Sequence, residues 1–82
     1  MGKWGVYSTA IEFFNNLQIN DKLKYNKGHC VCEGEIVEIN KPIKSCKLMK
    51  ITKKTEMNVE QVLTTDERIM ILPAHAENCE SI

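Results

Sequence analysis

His29-Cys-Val-Cys-Glu-Gly-Glu-Ile-Val-Glu-Ile-Asn40 is the stretch whose reading decides the fold. From Cys30 to Ile36 the alternate positions Cys30, Cys32, Gly34 and Ile36 are small or apolar, and their neighbours include Glu33 and Glu35. A period of two with β-branched residues predicts a half-buried strand. Gly34 sits inside it, where glycine weakens pairing and marks a bulge, a sharp bend or the close approach of another backbone. Beyond Ile36 the alternation slips, with Ile36, Val37 and Ile39 all apolar. A long strand that changes face after a glycine predicts a small sheet curling into a barrel.

Upstream, Asp21-Lys-Leu-Lys-Tyr25 alternates as a strand, and Asn26-Lys-Gly28 supplies a hairpin turn. Before it, Thr9-Ala-Ile-Glu12 has the form of a capping box. Ala10, Phe13, Phe14 and Leu17 then share one face of a short helix. Asn15-Asn16 ends that helix, because asparagine tolerates the left-handed conformation. A helix of about two turns is not stable alone, so it is expected to lie on the sheet. Residues 1–7 form an irregular lead-in, with Trp4 and Tyr7 capping one end of the core or meeting a partner.

Downstream, Lys41-Pro42 breaks the ladder. Residues 45–52 follow as a third strand with Cys46, Leu48 and Ile51 in the core, and 53–56 as a turn. Residues 57–63 make a fourth strand, 64–67 a tight turn, and 68–72 an apolar fifth strand stopped by Pro73. Residues 74–82 are small and polar, a flexible tail. Residues 8–73 are thus expected to form a mainly β domain, a short N-terminal helix followed by a five-stranded, strongly bent antiparallel small barrel, partly open.

A chain of 82 residues is one domain. At this size folding removes only about 60–65% of the unfolded surface from water, so association with a partner is expected. The 11 basic and 11 acidic residues cancel, which excludes bulk charge as a reason to bind nucleic acid or anionic membrane. The charges are nonetheless segregated: Lys41, Lys44, Lys47, Lys50, Lys53 and Lys54 run with no acid among them. Glu56, Glu60, Asp66, Glu67, Glu77 and Glu80 follow with Arg68 as the one base. Such a split makes either a dipolar particle or a solvated basic hairpin. No apolar run approaches the ~18 residues of a membrane span. Four cysteines without a signal-peptide stretch are expected as free thiols in an intracellular compartment, cytoplasmic or nuclear.

Chemistry-bearing sets are few. Cys30-x-Cys32 with His75-x-x-x-Cys79 could ligate zinc, against the alternative that the first pair faces the core and the tail is loose. His29 and Cys30 are adjacent on a strand and point to opposite faces, which disfavours a nucleophile–base pair. There is no phosphate-binding glycine loop and no aromatic–basic interleaving for stacking bases. The chain is expected to be no enzyme and to need no cofactor.

A helix followed by five bent strands resembles the Sm and Sm-like proteins. In their first motif an apolar residue precedes a glycine by two, another follows by two, and an apolar residue and an acid stand further on. Cys32, Gly34, Ile36, Ile39 and Asn40 occupy those places here. Ile43-Lys44 stands where the family has an apolar residue and an RNA-contacting asparagine. Leu63-Thr64-Thr65 and Ile69-Met70-Ile71-Leu72 stand where it has an apolar residue, Arg-Gly and an apolar strand. The scaffold positions match and the RNA-contacting ones are replaced, a pattern similar to the Gemin-type Sm-like subunits of the survival-of-motor-neuron (SMN) complex. The resemblance implies an assembly subunit supporting spliceosomal snRNP formation and mRNA splicing. Its partner would be another Sm-like chain or a second copy, through pairing of the fourth and fifth strands. The edge residues so implied are Val59, Gln61, Leu63, Ile69, Met70, Ile71 and Leu72. RNA contact, if made, would be weak or indirect and run through the six lysines; a nucleic-acid-binding barrel using that hairpin is the alternative, and a zinc-stabilised module another.

Overall fold

The computed structural model describes residues 4–82. Helix α1 (Ala10–Asn15) precedes β1 (Lys22–Asn26), β2 (Cys30–Ile39), β3 (Lys47–Glu56) and β4 (Val59–Ile71). A 3₁₀ helix (Pro73–Asn78) leads into β5 (Cys79–Ser81). The strands form one antiparallel sheet in the order β4-β3-β2-β1-β5. The domain is mainly β with a short N-terminal helix, as expected, but the sheet is neither closed nor strongly curled. β4 and β5 are its two edges. A three-residue β5 offers too short a ladder to close a seam against a thirteen-residue β4.

Thr9 caps α1 by accepting the Glu12 amide at 3.3 Å, while the Glu12 carboxylate meets the Ser8 hydroxyl at 3.4 Å. Half of the capping box is therefore used. Asn16 ends the helix at φ −98°, not in the left-handed region, and its side-chain amide donates to the Glu12 carbonyl at 2.8 Å. Phe13, Phe14 and Leu17 join Leu23, Tyr25, Cys32, Ile36, Met49, Ile51, Ile71, Ala76 and Cys79 in one buried core. Met49 rather than Leu48 supplies the core from β3, because the inward positions run 47, 49, 51.

The register shows what Gly34 does. Glu33 faces Lys53 and Gly34 faces Ile51, so Thr52 is an extra residue on β3, and its hydroxyl donates to the Glu33 carbonyl at 3.2 Å. A Cβ on Gly34 would overlap the Lys50 carbonyl oxygen and stand 3.1 Å from the Ile51 Cα. The glycine marks a bulge and a close backbone approach together. The slip after Ile36 is a second irregularity, with Val37 unpaired between Ile36 and Glu38.

Three expected boundaries are corrected. Residues 53–56 continue β3, and the hairpin turn is Met57-Asn58, both at positive φ (50° and 66°), a type I′ turn. Residues 64–67 are not a turn between a fourth and a fifth strand. They lie inside β4, where Ile51 pairs with Glu67 and Lys53 with Val62, so the intervening residues bulge and the strand resumes. Residues 74–82 are not a loose tail. Pro73 starts the 3₁₀ helix, where a missing amide costs nothing, and Leu23, Lys24 and Tyr25 pair with β5. Trp4 fastens this segment by donating from Nε1 to the Cys79 carbonyl at 2.9 Å, and Tyr7 tilts against Phe13 at 6.3 Å. Of the lead-in, residues 1–3 lie outside the described residues.

Candidate functional site

The edge residues implied by sequence come together on one strand rather than two. Val59, Gln61, Leu63, Ile69, Met70 and Ile71 all lie on β4, and Leu72 follows it. The second edge, β5, was not legible: Cys79-Glu-Ser carries no strand pattern, and it is defined by its pairing with β1.

The two halves of β4 differ. In the second half Ile71 is fully buried, Ile69 packs against the core, and Met70 is half-buried opposite Leu48. In the first half Val59 is 68% and Val62 72% exposed, and Met57 at the hairpin apex is 86% exposed. A type I′ turn closes on a hydrogen-bonded pair, here Glu56 with Val59. Bonded and non-bonded pairs alternate along an antiparallel ladder. Glu60, opposite Thr55, and Val62, opposite Lys53, are therefore non-bonded to β3 and direct their N–H and C=O groups out of the sheet. A cleft of about 230 Å³ lined by Lys54, Glu56, Val59 and Gln61 lies beside this edge.

Two of the six lysines in the run are paired with acids. Lys53 reaches Glu60 at 3.2 Å and Glu33 at 3.4 Å, and Lys54 reaches Glu67 at 2.7 Å. The Glu60 hydrogen bond chiefly holds the Lys53 ammonium above its usual range, and that of Glu67 does the same for Lys54. Lys47 is buried with its ammonium 5.4 Å from the centre of the Phe14 ring. Lys50 is half-buried, leaving Lys41 and Lys44 as the exposed members in the β2–β3 loop. Only the end of the basic stretch, Lys53 and Lys54, is thus drawn into a cross-strand charge ladder with acids of β2 and β4. That loop is tied by Asn40, whose Oδ1 accepts the Ser45 amide at 2.8 Å.

The four cysteines are free thiols. Cys32 and Cys79 stand on either side of Tyr25 in one cross-strand row, both fully buried. Burial pushes the Cys79 thiol up to about 12, and burial first, then the Cys30 neighbour, raises Cys32. Cys79 donates to the His75 carbonyl at 3.6 Å, and the His75 ring lies 6.0 Å from Tyr25 with its Nδ1 buried and without a hydrogen-bond partner. Among the described residues no three His, Cys, Asp or Glu side chains converge as a metal-holding group, so Cys30, Cys32, His75 and Cys79 are not gathered into a zinc site. Among the described residues no helix is long and apolar enough to cross a membrane.

No family model matches the chain, and no curated protein or solved structure matches it.

Proposed function

We propose that this chain is a non-catalytic, Sm-like assembly subunit that joins a partner protein by strand pairing along β4. In this reading the assembly serves spliceosomal snRNP formation. The observation that carries it is the free edge at Glu60 and Val62, with the exposed side chains of Val59 and Val62 beside it. Soluble proteins usually blunt such an edge with charge or proline. Here the one acid among these residues is Glu60, whose carboxylate is drawn toward Lys53 at 3.2 Å. The Sm-like form draws support from the order of one helix and five antiparallel strands, and from Cys32, Gly34, Ile36 and Ile39 at the scaffold positions of the motif. The pairing of β3 lysines with acids on β2 and β4 favours a protein partner over RNA.

The test compares wild type with Val62→Pro by sedimentation velocity and light scattering. Proline at a residue whose amide points to solvent leaves the β3 ladder intact and blocks an incoming strand. Wild type should sediment as an assembly and Val62→Pro as a folded 9.4 kDa monomer. Uridine-rich single-stranded RNA should bind weakly, and binding should fall steeply with salt. Tight, salt-resistant RNA binding by a monomer would contradict the proposal.

A further inference from the structure

We infer that β4 pairs with β4 of a second copy of this chain, antiparallel about a two-fold axis at Gln61; this rests on the edge-pairing role proposed above. Backbone parity restricts the register. Glu60 and Val62 direct their hydrogen-bonding groups outward, whereas Val59 and Gln61 spend theirs on β3. Only registers that set outward residues opposite outward residues form a ladder, which eliminates every axis lying between two residues. An axis on Glu60 would set that carboxylate against its own copy, and like charges directly opposite are destabilising. An axis on Val62 would need the amide of Thr64, which lies in the bulge where β4 leaves the register of β3. An axis on Gln61 satisfies all of these conditions.

In that register Glu60 and Val62 exchange backbone bonds with the partner's Val62 and the partner's Glu60. Gln61 meets the partner's Gln61 across the axis, where two amides can donate and accept reciprocally. Val59 faces the partner's Leu63 beside the cleft lined by Lys54, Glu56, Val59 and Gln61. No like charges stand opposite each other. Exposed valine side chains on both faces of the strand lose solvent, which is what drives such an edge together. The result is a continuous sheet through two copies, an isologous contact in which one patch serves both sides.

The experiment is oxidative crosslinking. Gln61 occupies a non-hydrogen-bonded pair with its own copy, where Cα atoms lie about 4.5 Å apart, inside the disulfide range. Gln61→Cys, oxidised at a protein concentration of tens of micromolar, should crosslink to twice the chain mass. It should do so about a hundredfold faster than Val59→Cys, because only the self-opposed position gains the high effective concentration of the pair. Val59→Cys should crosslink efficiently only when mixed with Leu63→Cys. Wild type under the same oxidant sets the background from the native thiols, and circular dichroism verifies that each variant is folded. If wild type is an assembly dispersed by Val62→Pro, yet Gln61→Cys crosslinks no faster than Val59→Cys, the two-fold register is overturned and edge pairing stands. Crosslinking of Gln61→Cys to Glu80→Cys on β5 would likewise overturn it in favour of a head-to-tail contact. A wild type that stays monomeric at every concentration overturns the self-pairing of β4 and confines edge pairing to a different partner chain.

Discussion

Replacing Gly34 with alanine tests the bulge on which the sheet is organised. The added methyl would overlap the Lys50 carbonyl oxygen, with the carbonyl carbon at 2.9 Å and the Ile51 Cα at 3.1 Å. These are backbone atoms of β3, so relief requires β2 and β3 to move apart rather than a side chain to rotate. Overpacking of this kind costs about 1–3 kcal/mol, and a rigid backbone obstacle places it at the upper end. Gly34 is not at positive φ, so alanine also removes unfolded-chain freedom, a gain of about 0.4–1 kcal/mol. The net is a loss of about 2 kcal/mol, which for a domain of this size lowers Tm by roughly 8–16 °C. Thermal and urea unfolding followed by circular dichroism measure it. Gly28→Ala is the comparison, because nothing lies within 4 Å of its Cβ and its cost comes from φ +98° alone. If Gly34→Ala is as stable as wild type or more so, the close approach of β2 and β3 is refuted.

Met57 occupies a left-handed position that L side chains reach at a cost of about 1–2 kcal/mol, and asparagine relieves part of it. Met57→Asn should therefore raise the urea midpoint. The Cys79 thiol, held by burial at about 12 against an ordinary 9.0, keeps its proton in the folded state while the unfolded chain loses it. Unfolding free energy should hold up to about pH 9 and then decline as pH rises toward 12, and Cys79→Ala should remove a share of that slope of at most about 1.4 kcal/mol per pH unit, read from urea titrations. Tyr25 and Cys32 titrate in the same direction and remain in the variant, but the Cys79 charge contributes to the Tyr25 shift, so the difference reports Cys79 together with its coupling to Tyr25.

The legible part of the fold is the part whose cause is local. Gly34 and the alternation around it define β2. Asn26-Lys-Gly28 forms the first hairpin, with the Asn26 side chain accepting the Gly28 amide at 2.8 Å. What stayed hidden depends on partners distant in sequence. Thr64-Thr-Asp-Glu67 has the composition of a turn, but β3 continues alongside and holds it as a bulge within one strand. Met57 carries no turn signal, although the hairpin turns there. Cys79-Glu-Ser became a strand through β1 and the Trp4 indole. The lysines of β3 look unpartnered along the chain, since Glu33, Glu60 and Glu67 reach two of them only through cross-strand register. For the candidate edge, the seven residues implied by sequence lie on β4 or just after it, four of them expected on a separate strand, and Glu60 and Val62, whose backbone groups face outward, are not among them.

Amide hydrogen exchange at Glu60 and Val62, measured residue by residue at low and high protein concentration, tests the central claim most directly. Both amides point away from β3, so they should exchange rapidly in dilute solution. They should slow as concentration rises, while Val59 and Gln61, already bonded to β3, change little. Glu60 and Val62 amides that exchange equally fast at both concentrations would contradict pairing of this chain with itself along β4.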